Sequence, residues 1–137
     1  ILLDNYIKKV EVETKTMIKM SRREIIPAAV KYSDTLASGL SAKAAIGIDI
    51  AKSADNRLIG RLDKLLDKLL KETEKLENDF KKVGSKGDML AHAEYLRDVI
   101  IPDSEKLRKS ADELETLVGK ADWAFPTYED ILSSVAE

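Results

Sequence analysis

The sequence predicts an all-α fold: an elongated antiparallel bundle of three long helices, kinked near Pro27 and Pro102, plus a short C-terminal helix. Three observations predict it. The composition is 44% hydrophobic and 35% charged, with six Gly, three Pro and 5% aromatic residues. Its bias toward Leu, Lys, Glu and Ala favours helices, and strand formers are scarce. Apolar residues recur in steps of three and four over long stretches, and Gly, Pro and capping residues fall where those stretches begin, bend or end. A chain of 137 residues fits one domain, 1–137, and a chain of that size buries about two thirds of its unfolded surface.

The first forty-odd residues make the first helical region, with Leu3, Ile7, Val10, Met17, Ile18, Ile25, Tyr32, Leu36 and Leu40 as its apolar face. Pro27 removes a backbone donor and predicts a kink. The region ends either at Gly47 or earlier, around Ser38-Gly39-Leu40-Ser41, which would leave a short Ala-rich helix over 42–46. The break point within 38–49 stays open on sequence alone.

The second helix carries Leu58, Leu62, Leu65, Leu66, Leu69, Leu70, Leu76, Phe80 and Val83, opened by Asp49 or a residue nearby and closed by Gly84. On its outer face Asp67 stands four before Lys71 and Glu77 four before Lys81, spacings that suit ion pairs worth a few tenths of a kcal/mol, about 0.2–0.5 each.

The third helix has the most regular stripe: Met89, Ala93, Leu96, Ile100, Asp103, Leu107, Ser110, Leu114 and Leu117 in unbroken 4-3 steps. Gly87 and the N-cap candidate Asp88 mark its start and Gly119 its end. Pro102 predicts a kink near Ile101. Two entries in the stripe are polar, Asp103 and Ser110. Burying either without a partner costs about 1–3 kcal/mol, so both are expected where the kink admits water.

A short last helix should follow Pro126, with Thr127 as cap and Asp130 three positions on. Trp123, Phe125 and Tyr128 put three of the seven aromatic residues into six positions, a density that suits an anchor packing into a groove. They are the candidate partner-contact residues. Leu66, Leu70 and Ile101 stand beyond the main stripes and are further contact candidates.

Charge and cysteine content exclude several classes. With 23 basic and 25 acidic residues, net charge −2, there is no overall pull toward nucleic acid or an anionic membrane. No cysteine is present, which removes disulfides and thiolate metal sites and is compatible with the cytoplasm. The opening Ile1-Leu2-Leu3-Asp4-Asn5-Tyr6 has no initiator Met, no basic run and no long apolar run, and reads as a segment of a longer protein.

Catalytic chemistry is equally thin. His92 is the sole histidine, so triads and multi-histidine metal sites are excluded. Phosphotransfer on a helical bundle needs only one, but Ala93-Glu94-Tyr95-Leu96-Arg97 follows where such modules usually have Lys and Gly. Asp88 lies one turn before His92, yet two ligands without a third fall short of a zinc site. Lys8, Lys15, Lys19 and Arg22, with Arg23 beside them, form a basic stripe on the first helix. Glu11, Glu13 and Glu24 are interspersed and no stacking aromatics accompany it, so a solvated face or a match to an acidic partner is the expectation. Asp63, Asp67, Glu74 and Glu77 are interleaved with Lys and neutralise it rather than forming an acid-base pair.

The stretch from Ala93-Glu94-Tyr95-Leu96-Arg97-Asp98 through Ile101-Pro102, Leu107-Arg108, Ala111-Asp112-Glu113-Leu114-Glu115 and Trp123 to Phe125-Pro126-Thr127-Tyr128 resembles the C-terminus of type III glutamine synthetases. Glu13-Thr14, Thr16-Met17 and Ile25-Ile26-Pro27-Ala28 are similar to the segment those enzymes carry just before it. The family commonly ends in Trp-Pro-x-Pro-Thr-Tyr; here Ala124 replaces the first Pro, and Ser133-Ser134 follow Leu132 where an aromatic is usual. The resemblance implies a fragment from the C-terminus of a larger cytoplasmic enzyme, a glutamate–ammonia ligase using ATP and Mg or Mn and assembled as a double-ringed oligomer. It places the glutamate, ATP and metal ligands upstream, so this stretch is expected to hold no catalytic, cofactor-binding or metal residue. Its implied job is accessory, packing on the catalytic domain and neighbouring subunits. An autonomous helical adaptor, binding partner helices through exposed leucines, is the alternative.

Overall fold

The computed structural model describes residues 2–119 and 122. All its regular structure is helical, with no strand among the described residues: α1 (Leu2–Met20), α2 (Ile26–Ala45), α3 (Ala54–Lys81), α4 (Met89–Tyr95) and α5 (Ile101–Glu115). Wide π-turns at Ser21–Ile25 and Leu96–Ile100 join α1 to α2 and α4 to α5. The chain is therefore three long helical runs, 2–45, 54–81 and 89–115, and at 1.5 Å per residue the first spans about 65 Å. The short helix expected after Pro126 lies outside the described residues.

Where the sequence predicts kinks, the structure has those two π-turns inside uninterrupted helix. The Ile26 N–H bonds the Ser21 carbonyl and the Ile101 N–H bonds the Leu96 carbonyl, each five residues back instead of four. Pro27 and Pro102 have no N–H, and a proline ring crowds the carbonyl four positions earlier. One extra residue in the turn relieves that crowding without ending the helix. Both turns lead into the same Ile-Ile-Pro triplet, at 25–27 and 100–102.

The first connector resolves the open break point: α2 continues through Ser38-Gly39-Leu40-Ser41 and stops before Gly47. Gly47 has φ +89°, the left-handed region that glycine enters freely. Its N–H bonds the Ala44 carbonyl at 3.1 Å and the Ile48 N–H bonds the Lys43 carbonyl at 3.0 Å, which together make a Schellman C-cap. The cap of α3 is Ser53 rather than Asp49. Ser53 Oγ accepts from the Asn56 N–H at 3.1 Å, while Asp49 closes a tighter local turn by accepting from the Ala51 N–H at 3.0 Å. The third run opens as expected, Asp88 accepting from the Ala91 N–H at 2.8 Å. It closes earlier than expected, at Glu115. Gly119 serves contact rather than capping: a Cβ there would lie 3.2 Å from Tyr32 Cε1.

Cross-run bonds fix the topology. From α3, Asp55 pairs with Lys43, Asp63 accepts from Ser33 at 3.3 Å and Thr73 meets Ser21 at 2.7 Å, so α3 runs antiparallel to the first run. Glu72 with Ser110, Lys75 with Asp103, and Asp79 with Tyr95 set it antiparallel to the third. The first and third runs then lie parallel, tied by His92 to Glu11 and by Lys31 to Asp122.

One apolar core serves all three runs. It takes Ile7, Val10, Ile25 and Ala29 from the first, Leu62, Leu65, Leu69 and Leu76 from α3, and Ala93, Leu96, Ile100, Leu107 and Leu114 from the third. Leu66 and Ile101 pack against this core and Leu70 is half-buried, so Leu66 and Ile101 are not the free contact surface the sequence suggested. Each helix of a three-helix bundle faces two neighbours, and its buried arc is wider than one stripe. Met89 and Leu58, assigned to the apolar faces, are exposed near the starts of their helices.

The polar entries in the stripe are buried, not wetted. Ser110 has no exposed surface and donates to Glu72 Oε2 at 2.9 Å; Asp103 accepts from Lys75 Nζ at 3.0 Å. A third buried polar contact joins α3 to the first π-turn. Thr73 Oγ1 donates to the Leu69 carbonyl at 2.8 Å, which leaves the Ser21 hydroxyl as donor in the 2.7 Å Ser21–Thr73 bond. Thr73→Val alone strands the Ser21 hydroxyl and is expected to cost about 1–3 kcal/mol, whereas adding Ser21→Ala makes both faces apolar and recovers part of the loss. Urea denaturation of the two single variants and the double variant measures this order.

Candidate functional site

The densest set of interacting ionisable groups lies in the seam between α3 and the third run. Lys75 and Asp79 stand four apart on α3 and meet at 2.8 Å; the same Nζ reaches Asp103 Oδ1 of α5 at 3.0 Å. Tyr95 of α4 donates its hydroxyl to the Asp79 backbone carbonyl at 2.7 Å, and the Lys86 ammonium sits 4.4 Å over the Tyr95 ring. Asp103 is 5% exposed and its second oxygen, Oδ2, is buried with no donor.

These surroundings set the titrations. Burial first, then the neighbouring Asp79, pushes the Asp103 carboxyl above the ordinary aspartate range. Asp79 is held below that range, foremost by the Asp103 carboxyl acting as a donor when it is protonated, and then by Lys75 and the field of Lys82. Hydrogen bonds to the two carboxyl groups raise the Lys75 ammonium. Desolvation raises the Tyr95 hydroxyl, with both aspartates adding to it. The aspartate environments push apart, a pattern that marks acid-base pairs in enzymes. Here, however, the groups are packed between two helices and Tyr95 is committed to a backbone carbonyl.

Other residues singled out by sequence fall into separate places. His92 Nε2 meets Glu11 Oε1 at 2.7 Å and is half-buried between α4 and α1, so the imidazole ties two runs together. Asp88 is occupied as the α4 cap and does not join His92. No three His, Cys, Asp or Glu residues converge as a metal site among the described residues. No helix there is long and apolar enough to cross a membrane.

The basic stripe is partly neutralised. Lys8 pairs with Asp4 at 3.0 Å, and Arg22 forks onto Glu77 through Nε at 3.2 Å and Nη2 at 2.5 Å. That fork claims the carboxylate expected to pair with Lys81, whereas the Asp67–Lys71 pair forms as expected at 2.9 Å. Lys15, Lys19, Arg22 and Arg23 with Ile18 line an open depression of about 460 Å³. A second groove, about 260 Å³, runs between α1 and α5 beside Val10, Met17, Ile101 and Arg108. Trp123, Phe125 and Tyr128 lie outside the described residues.

Sequence reasoning saw Asp103 but missed Lys75, Asp79 and Thr73. The missed signals were the Lys75–Asp79 spacing of four on the flank of the α3 stripe, and the gap between Leu69 and Leu76, which Thr73 fills.

Residues 1–44 match the family model described as the glutamine synthetase C-terminal domain. By sequence, the chain is similar to a glutamine synthetase C-terminal domain. Over 135 residues it is 30% identical to the glutamine synthetase of Butyrivibrio fibrisolvens, a match that takes in 98% of this chain. The chain spans 19% of that glutamine synthetase's length. Of the matched residues, 2–44 lie in the first helical run, which ends at its Gly47 cap.

Proposed function

We propose that this chain is the C-terminal accessory domain of a type III glutamine synthetase, a part that helps the enzyme assemble and carries none of its chemistry. The observation behind this reading is the 30% identity over 135 residues to a glutamine synthetase, together with the family match at 1–44. The parent enzyme would ligate ammonia to glutamate in the cytoplasm with ATP and Mg or Mn, using ligands outside this chain. The helical runs would pack on the catalytic domain and on neighbouring subunits of the oligomer, with Trp123, Phe125 and Tyr128 as contact residues.

The isolated chain is expected to turn over no ATP with glutamate and ammonia, and measurable ligase activity overturns the accessory role. In the parent enzyme, deletion from Trp123 onward is expected to lower oligomer size in analytical ultracentrifugation and to lower activity with it. Unchanged assembly after that deletion removes the three aromatics from the contact surface.

A further inference from the structure

We propose that Asp79 and Asp103 form a proton-binding site, the two carboxyl groups holding one proton between them beneath Lys75 in the seam where the third helical run packs on α3. One oxygen of the pair has no hydrogen-bond donor among the described residues. Asp103 Oδ1 accepts from Lys75 Nζ at 3.0 Å, but Oδ2 is buried and receives no hydrogen bond. A buried carboxylate oxygen without a donor is strongly disfavoured. With a proton on Oδ2 the atom becomes a donor itself, and the Asp79 carboxylate, held at 2.8 Å by the same Lys75 Nζ that reaches Asp103 at 3.0 Å, is the acceptor this proposal assigns to it. Charge balance agrees: two carboxylates and one ammonium leave the seam negative, and one proton makes it neutral.

The other groups of the seam are engaged elsewhere or bond neither carboxyl, and the buried Ser104 hydroxyl beside Asp103 has no partner among the described residues either. On α3, Lys75 is shared by both carboxyl groups, and Lys82 acts on Asp79 only through its field. On α4, the Tyr95 hydroxyl is spent on the Asp79 backbone carbonyl, and Lys86 sits over the Tyr95 ring. Further along the seam Glu72 is bonded to Ser110. Glu13 of α1 and Glu105 and Arg108 of α5 line the adjoining groove and bond neither carboxyl. Asp103 keeps the proton because it is the more deeply buried of the two, and the pair titrates as a unit.

The direction of the pH response follows. A carboxyl whose folded-state value is raised stabilises the fold below its unfolded value, and that stability is lost as pH rises through the folded value. Asp79 acts oppositely, its contribution being lost in acid as pH falls through its lowered value. Rising pH therefore strips the shared proton and loosens the joint between α3 and the third run.

Carbon-detected NMR of the side-chain carboxyl groups in the full chain tests the site, with Asp103→Asn as a non-titrating match whose amide can still donate to Asp79. The Asp103 carboxyl is expected to titrate above the ordinary aspartate value of 3.8, and its midpoint should fall in Asp79→Asn. The wild-type melting temperature should drop, relative to Asp103→Asn, as pH rises from that value toward neutrality. An Asp103 midpoint at or below the ordinary value overturns the proposal, as does a melting difference between the two proteins that does not change with pH. The wild-type titration decides the matter even if Asp103→Asn does not fold.

Discussion

Leu69→Ala is expected to remove about 3 kcal/mol of folding stability and to lower the melting temperature by about 10 °C. Leu69 lies mid-way along α3, has no exposed surface and belongs to the core shared by all three runs. Truncation deletes its transfer free energy and leaves a cavity that long helices, held in register by cross-run bonds, can collapse only in part. Ile46→Ala is the matched control. Ile46 is 76% exposed beside the Gly47 turn, so its truncation should stay within about 0.5 kcal/mol. Thermal and urea unfolding of both variants measure the contrast, and equal losses would show that the core is not where the structure puts it.

Ala29→Leu should be the most damaging enlargement, at about 1–3 kcal/mol. Ala28 and Ala29 follow Pro27 directly and are 7% and 0% exposed. Both are buried just beyond the first π-turn, in the helix that packs on α3. Three extra heavy atoms at position 29 must push the helices apart or force the leucine off its preferred rotamers. Ala37→Leu, on an exposed position of the same helix, should be near neutral. Comparing urea midpoints of the two variants separates the tight contact from any general effect of leucine in α2.

The features legible in the sequence are those decided by one helix alone. The apolar stripe from Ala93 through Leu96, Ile100 and Leu107 to Leu114 is buried as its 4-3 spacing implied. Gly47 and Asp88 do what a left-handed glycine and an N-cap do in any helix, because their partners lie within five residues. Features decided between helices were not legible. Glu77 has a local partner four residues on, but the planar guanidinium of Arg22 offers two parallel bonds from another helix and takes it. Asp103 and Ser110 looked like places for water because their partners, Lys75 and Glu72, are known only once α3 is laid antiparallel beside them. The proline positions were legible as irregularities, yet not their form, since a π-turn and a break follow equally from a missing N–H.

The rungs along α3 bear on what the family match at 1–44 means. Lys43, Ser33, Arg22 and Ser21 all hold partners on α3, and among the described residues the apolar face of Ile7, Val10, Ile25 and Ala29 packs in the core shared with the other two runs. The segment that matches the family model thus does not bury its own apolar face. Taken alone it is an amphipathic helix with nothing to lean on, because the other half of its contact is written further along the chain.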